Sequence, residues 1–274
     1  MQIRRRELLG LFGLGLVGCS AGSQIGPGAT AETGSTTTQP PDARRDARGD
    51  ARRRTPNETA GGSATQAPST TEEPTVKVIE VIGREGWGAL EVGQGMVKHR
   101  IERLTIHHTG VELEDNRQAP SRLRAHQEFH QRDRGWPDLA YHFAIDREGN
   151  IYEGRSTDFR GDTATSYDPT GHLLAVLEGN FDVETPADPQ IQSLAELLAW
   201  AGDRYSVGLD TIGSHRDYAP GETACPGANL YALLDSGAIA EMVDAVHERG
   251  TPEMVYLRGA RAVERIATIE SPDS

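Results

Sequence analysis

The composition of this chain changes abruptly near residue 76, and the change limits which part of it can fold. Residues 20–75 consist mostly of Thr, Ser, Gly, Pro, Ala, Asp and Arg, and they include a short imperfect Asp/Arg repeat at 42–54. Such a segment has too few large apolar side chains for burial to offset the entropy of ordering the chain. We therefore expect residues 20–75 to be a disordered tether and the folded domain to begin at about residue 76.

From residue 76 onward, short apolar runs typical of strands alternate with longer amphipathic runs typical of helices. The expected strands are residues 76–82, 104–108, 141–145, 151–153 and 173–177. Three helices are expected: one capped by Ser121 that reaches Arg132, one with Asp188 as its cap and Pro189 at its first position, and one over 238–249. This order predicts one α/β domain over residues 76–250. Residues 251–274 show no clear pattern and are expected to be a C-terminal tail of unknown role.

The first 19 residues have the layout of an export signal. Arg5 and Arg6 open a motif that resembles a twin-arginine signal. The apolar run that follows has about 11 residues, whereas a membrane span takes about 20. The run ends in Leu-Val-Gly-Cys, which resembles a lipobox whose cysteine, Cys19, is lipidated. A membrane-anchor helix with a chance cysteine is the alternative. Both interpretations place the rest of the chain outside the cytoplasmic membrane, and the first anchors it there, on the outer face or in the cell envelope, as a lipoprotein.

The charge of the folded part argues against one class of partner. The net charge is −13, but the first 75 residues hold nine arginines against eight acidic residues, so the acidic excess lies in the domain. Nucleic-acid binding requires a basic face, and we therefore expect no nucleic-acid partner. Lys77 and Lys98 are the only lysines. An acidic, lysine-poor surface suits a protein that stays soluble at high salt, which is a halophile-like composition.

Two histidines and a cysteine are candidate metal ligands. His107 and His108 close an expected strand, and only one of them can face a given site because adjacent strand side chains point to opposite faces. His215 and Cys225 follow on a distant segment, and Cys225 is the only cysteine of the domain. Imidazole and thiolate are good zinc ligands, and three protein ligands plus water form a catalytic zinc site. Taken alone, these residues are more simply explained as ordinary histidines and a buried free cysteine.

Six motifs along the domain reverse that interpretation. They are Arg84-Glu-Gly-Trp-Gly-Ala89, Leu104-Thr-Ile-His-His-Thr109, Arg124-Ala-His-Gln-Glu-Phe-His130, Gly135-Trp-Pro-Asp-Leu-Ala-Tyr-His-Phe143, Gly149-Asn-Ile-Tyr-Glu-Gly-Arg155, and Ser214-His-Arg-Asp217 with Thr223-Ala-Cys-Pro-Gly227. In this order they resemble the peptidoglycan recognition protein and type 2 N-acetylmuramoyl-L-alanine amidase family, over residues 81–234. The resemblance implies a mixed central β-sheet flanked by α-helices and a groove that holds one Zn²⁺.

The resemblance also implies roles for individual residues. His107, His215 and Cys225 match the three zinc ligands. Tyr141 matches the catalytic tyrosine near the metal, and Thr223 matches a Thr or Lys position that assists the reaction. The implied reaction is hydrolysis of the amide between N-acetylmuramic acid and L-alanine in peptidoglycan or muropeptides. Zinc lowers the pKa of bound water towards ~7 and polarises the carbonyl, and Tyr141 can donate to the oxyanion that forms.

Two departures from the family pattern leave alternatives open. The spacing from His215 to Cys225 is two residues longer than the usual eight, with Gly221 and Glu222 as the candidate insertion, so the third ligand depends on whether the loop closes. Residues 161–172 replace a stretch that usually carries a groove-lining histidine. The alternative functions are a non-catalytic muropeptide-binding protein and a related zinc hydrolase of a different amide.

Four further residues have more than one interpretation. His108 is expected to pack behind the site, and Trp87 and Trp136 are expected to pack in the core. Glu178, at the end of an expected strand, is either a second acid/base group or a carboxylate that faces solvent. The sequence predicts no particular oligomeric state.

Overall fold

The computed structural model describes residues 77–271 of the 274-residue chain. The predicted export signal, the lipidation site at Cys19 and the predicted tether lie outside the described residues. Among residues 77–271, none of the helices combines the length and apolar character needed to cross a membrane.

The described residues form seven strands and seven α-helices, interspersed along the chain. The strands are β1 (Val78–Ile82), β2 (Arg103–His108), β3 (Phe143–Ile145), β4 (Ile151–Glu153), β5 (His172–Leu177), β6 (Ile212–Ser214) and β7 (Glu253–Leu257). The helices are α1 (Arg84–Trp87), α2 (Ala119–Arg132), α3 (Asp188–Tyr205), α4 (His215–Tyr218), α5 (Ala228–Asp235), α6 (Ala238–Arg249) and α7 (Ala260–Ile269). This arrangement confirms the mixed α/β fold that the sequence predicts.

All seven strands form one sheet in the order β6-β2-β5-β3-β4-β1-β7. Only β3 and β4 are antiparallel, joined by the turn around Gly149, and every other neighbouring pair is parallel. The carboxyl ends of β6, β2 and β5 therefore meet at the same edge. His107 lies at that edge on β2, and His215 follows β6 directly, so the topology brings two distant histidines together.

The two faces of the sheet bury different side chains. One face, here called the α3 face, packs against α3 and α6 through residues such as Leu104, Ile106, Leu197 and Val243, all buried. The opposite face, here called the α2 face, packs against α1, α2 and α7 through a smaller apolar cluster that includes Trp87. Burial of Trp87 matches the core position expected from the sequence, and its indole N–H donates to the carbonyl of Glu153 at 2.8 Å.

The folded region continues beyond the expected boundary near residue 250. Strand β7 pairs in parallel with β1 from Val78 opposite Glu253 to Ile82 opposite Leu257. Helix α7 then packs on α1, where Ala262 lies so close to Gly86 that a Cβ at that glycine would come within 2.6 Å of it. Residues 253–269 are therefore part of the domain, because the sheet edge and the α2 face both require them for burial.

Several expected boundaries shift by one to three residues. Strand β3 starts at Phe143, so Tyr141 precedes it. Helix α2 starts two residues before Ser121, whose hydroxyl donates to the carbonyl of Gln118. Asp188 is the first helical residue of α3 and Ala187 occupies the cap position. Helix α6 has the bounds expected from its apolar periodicity.

Candidate metal centre

His107 presents its side chain on the α2 face at the end of β2. The residue is 2% exposed, and its Nδ1 lies 3.6 Å from Sγ of Cys225. Its other ring nitrogen, Nε2, is buried without a hydrogen-bond partner among the described residues. His108 points to the opposite side, where its Nδ1 accepts the N–H of Phe181 at 3.3 Å. The strand alternation therefore directs the two rings to opposite sides, so His107 alone of the pair joins the candidate ligands, although His108 also contributes to the cavity lining.

His215 is positioned by the start of α4. Ser214 donates both its main-chain N–H and its hydroxyl to the carboxylate of Asp217 at 2.7 Å, which closes a capping box around the first turn. The ring of His215 then lies with its centroid 4.8 Å from that of His107. Asp217 thus stabilises the turn without an ion pair to Arg216, whose guanidinium stacks on Tyr231 instead.

Cys225 is held by a loop that closes despite its extra length. The main-chain N–H of Arg216 donates to the carbonyl of Cys225 at 3.0 Å, so the two ends of the loop meet. Gly221 has a φ of +79° and no atom near its missing Cβ, which places the extra residues in an outward turn. The main-chain N–H of His108 donates to Sγ at 3.4 Å, and a donor at sulfur favours the thiolate.

The three side chains fit a zinc ion. Their ligand atoms all lie within 4.8 Å of one another. Zinc bonds of about 2.1 Å to nitrogen and about 2.3 Å to sulfur place tetrahedral ligands about 3.6 Å apart, and the Nδ1–Sγ separation of His107 and Cys225 is 3.6 Å. Two imidazoles and a thiolate favour zinc over magnesium or calcium, which prefer oxygen ligands.

Burial keeps both imidazoles in the form that binds a metal. It lowers the pKa of His107 well below the ordinary value, with the neighbouring His215 adding to the effect. It also lowers the pKa of His215 to about 4, assisted by the charge of His108. Neutral imidazole is the ligand form, so at neutral pH no proton has to be removed from either ring.

The three ligand residues line an open cavity of about 270 Å³ on the α2 side of the sheet. Tyr141 lines the same cavity, with its ring centroid 5.2 Å from that of His107. Phe129 and Trp136 form part of its wall, and the guanidinium of Arg134 lies 5.3 Å from the ring centroid of Phe129 and 6.0 Å from that of Trp136. Trp136 is therefore partly exposed to the cavity. The expectation that it packs in the core is wrong.

Two sequence candidates lie outside the cavity wall. The hydroxyl of Thr223 accepts the main-chain N–H of Cys225 at 3.1 Å, and Thr223 is absent from the residues that line the cavity. Its assistance to the reaction stays a prediction. Glu178 is 1% exposed, with Nδ1 of His126 3.5 Å from its carboxylate, so it does not face solvent. Glu178 also does not line the cavity, which removes the support for a direct acid/base role.

One set of contacts at the site has no clear signal in the sequence. Thr163 and Thr165 line the cavity, and both hydroxyls contact Nε2 of His215. The sequence marks residues 161–172 as a departure from the family pattern, but short polar residues in a loop do not indicate which hydroxyl meets which ring.

Comparison with known proteins agrees with this geometry. A sequence model of the family described as N-acetylmuramoyl-L-alanine amidase matches residues 97–228. The chain is 31% identical over 160 residues to peptidoglycan-recognition protein SC1a of Drosophila melanogaster, covering 56% of this chain and 83% of the relative.

Two solved structures have the same fold. One is Drosophila peptidoglycan recognition protein SD (TM-score 0.52, 26% identity, 57% of this chain and 94% of the other). The second is peptidoglycan recognition protein LE, solved in complex with tracheal cytotoxin (TM-score 0.52, 28% identity, 57% and 92%). The chain therefore belongs to the N-acetylmuramoyl-L-alanine amidase family, together with the peptidoglycan recognition proteins, and its function is peptidoglycan binding or amide cleavage.

Proposed function

We propose that the chain is a zinc-dependent amidase that hydrolyses the amide between N-acetylmuramic acid and L-alanine in peptidoglycan or muropeptides. One observation carries the proposal: the ligand atoms of His107, His215 and Cys225 converge at the wall of an open cavity that Tyr141 also lines. A domain that only binds muropeptides has no need for two neutral imidazoles gathered around a thiol.

The residues divide the work of hydrolysis between holding the metal and stabilising charge. His107, His215 and Cys225 would hold the zinc ion. The chemistry that zinc supplies when bound is a water nucleophile near neutral pH and a polarised carbonyl. Tyr141 lines the same cavity, and its hydroxyl would donate to the oxyanion that develops on the scissile amide. The hydrogen bond from Cys225 N–H to Thr223 holds the ligand loop in place during this step.

The rest of the cavity suits a glycopeptide. Phe129 and Trp136 offer apolar ring surface, and Arg134 offers a cation between them. Aromatic faces pack against sugar rings, and guanidinium groups bind carboxylates such as those of stem peptides. The relative solved with tracheal cytotoxin, which is named as monomeric diaminopimelic acid-type peptidoglycan, supports a muropeptide ligand for this chain.

The test uses the purified chain beside its Cys225→Ala variant, at low and at high salt. Zinc content is measured first, and the release of new L-alanine amino termini from peptidoglycan and from soluble muropeptides is measured next. About one zinc per chain and cleavage that the variant loses would support the amidase. Muropeptide binding without cleavage by the zinc-loaded chain would overturn it and leave a recognition protein, and cleavage confined to other amides would overturn the substrate.

We also propose that the domain works outside the cytoplasmic membrane on a lipid anchor. The support comes from the sequence, in which Arg5 and Arg6, the apolar run and Cys19 follow one another in the order of a lipoprotein export signal. Mass spectrometry of the mature N-terminus provides the test. An acylated Cys19 at the first position is expected, and an unprocessed N-terminus in the membrane fraction would contradict the proposal.

A further inference from the structure

We infer that Thr165 is a positioning residue for the metal centre. Its hydroxyl forms a hydrogen bond with Nε2 of His215, and this bond leaves Nδ1 of His215 as the atom that faces the metal. The inference rests on the metal centre of the proposed function, and it concerns a residue outside the three ligands.

The contacts around His215 define the arrangement. Oγ1 of Thr165 lies 2.8 Å from Nε2 of His215, and Oγ1 of Thr163 lies 3.3 Å from the same atom. The two hydroxyls are 2.7 Å apart, and the main-chain N–H of Thr165 donates to Oγ1 of Thr163 at 3.2 Å. Nε2 of His215 therefore faces a pair of hydroxyls, and these two groups occupy the space in which a metal ion would otherwise contact Nε2.

This arrangement decides which nitrogen is left for a metal. A neutral imidazole carries one N–H and one lone pair, and the partner of the N–H fixes the tautomer. When the Thr165 hydroxyl donates its hydrogen bond to Oγ1 of Thr163, its oxygen is free to accept a hydrogen bond from the N–H at Nε2 of His215. The lone pair then lies on Nδ1, as the 3.6 Å contact to Cys225 also selects Nδ1 in His107. Metal-binding histidines commonly donate their second nitrogen to such a partner.

The two threonines are held by neighbours on both sides. We call residues 162–167 the strap. At its start, the carboxylate of Asp162 binds the guanidinium of Arg155 at 2.6 Å, and that buried guanidinium also donates to the carbonyls of Asp138 and Leu139. At its end, the ring of Tyr167 packs with its centroid 5.2 Å from that of His215. The hydroxyl of Thr165 is thus fixed relative to the sheet.

The strap also contacts the lengthened ligand loop. Ser166 donates its main-chain N–H to the carboxylate of Glu222 at 2.8 Å, and its hydroxyl donates to the same carboxylate. Glu222 belongs to the two residues expected as the insertion between His215 and Cys225. The strap therefore connects one metal ligand by Thr165 with the loop that carries another, and the extra loop length provides the residue that makes this contact.

Zinc affinity tests the inference without reliance on activity. The zinc affinity of the purified chain is measured by competition with a chromophoric chelator. The variants Thr165→Val, Thr165→Ser and Thr170→Val are measured in the same way. Valine keeps the shape of threonine but has no hydroxyl, and we expect it to weaken zinc binding by about 10–100-fold. Serine restores the hydroxyl, so binding should return to within a few-fold of the parent. Thr170 follows the strap, is exposed and donates its hydroxyl to Asp168, so Thr170→Val should bind zinc as tightly as the parent.

A second measurement on the unaltered chain reads the tautomer directly. Long-range ¹H–¹⁵N correlation of the zinc-loaded, ¹⁵N-histidine-labelled chain should show His215 protonated at Nε2. Protonation at Nδ1, or Thr165→Val with the zinc affinity of the parent, would overturn the inference. These outcomes are distinct from failure of the proposed function. A parent chain that binds zinc but cleaves nothing overturns the amidase and leaves the inference testable by affinity, whereas a parent that binds no zinc overturns both.

Discussion

The two faces of the central sheet bury side chains of opposite character. On the α3 face, the interior between the sheet, α3 and α6 is mostly apolar, and Gln190 and Glu196 on α3 are the buried polar exceptions. The α2 face buries a smaller apolar cluster together with many polar groups, among them Thr105, His107, His130, His142 and Arg155. The same strands supply both faces by alternation, so each strand residue contributes either to apolar packing or to the polar side that holds the site.

This difference separates stability from chemistry. Burial of apolar area on the α3 face stabilises the fold by about 25 cal/mol per Å². Buried polar groups on the α2 face stay tolerable only where they are hydrogen-bonded. Arg155 meets that condition through the carbonyls of Leu139 and Asp138 and the carboxylate of Asp162. Nε2 of His107 does not meet it among the described residues, and it belongs to a proposed metal ligand.

The largest effect is expected from Cys225→Ala on the α2 face. Removing the thiolate leaves two ligands, and the several kcal/mol of transition-state stabilisation that a metal supplies corresponds to a rate loss of at least about 1,000-fold. Initial rates of muropeptide cleavage measure it. The free energy of unfolding of the metal-free chain should change by less than about 2 kcal/mol, because Cys225 lies outside the α3-face core. If the variant cleaves at the parent rate, Cys225 is not a ligand of the catalytic metal.

The converse effect is expected from Leu197→Ala on the α3 face. Leu197 is fully buried in α3, and removal of a buried leucine side chain costs about 2–5 kcal/mol in the free energy of unfolding. Zinc affinity and the cleavage rate of the folded fraction should remain close to those of the parent. Urea unfolding and zinc titration measure the two quantities, and Leu197→Met, which conserves volume, is the matched control. A large loss of zinc affinity with little loss of stability would show that the two faces are not separable.

Tyr141→Phe tests the division of labour within the α2 face. The variant lacks the hydroxyl but keeps the ring that packs 5.2 Å from His107. Removal of one oxyanion donor typically lowers kcat by about 100–1,000-fold, and zinc affinity should not change. Kinetics and metal content are measured together. An undiminished kcat would assign oxyanion stabilisation to another group, and a loss of zinc would give Tyr141 a structural role instead.

The sequence predicts elements whose pattern is local and misses those that depend on distant partners. Helix α6 follows from its apolar periodicity, and β2 from its run of β-branched and apolar residues. Strand β7 alternates between exposed and half-buried residues until Leu257, so its pairing with β1 has no local signal. The motif around His215 and Cys225 indicates a metal site. The contact of Thr165 with His215 depends on how a loop of small polar residues folds across the sheet edge, which no spacing rule predicts.

The smallest expected effect is a pH dependence to which His142 on the α2 face contributes. Both ring nitrogens of His142 are engaged: Nδ1 accepts the N–H of Leu174 at 2.8 Å, and Nε2 lies 2.9 Å from the carbonyl of Phe159. Burial lowers the pKa of His142 to about 3, from 6.5 for an ordinary histidine, because the charged form loses its hydration, and the hydrogen bond to the carbonyl of Phe159 only partly opposes this shift. Between these values the unfolded chain binds one more proton than the folded chain. The free energy of unfolding therefore falls as the pH decreases from about 6.5, by about 1.4 kcal/mol per pH unit for this group, and the contribution is complete above 6.5.

His142→Gln keeps a donor and an acceptor but cannot titrate. Urea unfolding of the metal-free chain at pH 7, 6, 5 and 4 should give a shallower pH slope in the variant. Equal slopes would mean that His142 accepts its proton in the folded state, and that the polar face tolerates a proton on Nδ1, which faces the N–H of Leu174 and not an acceptor.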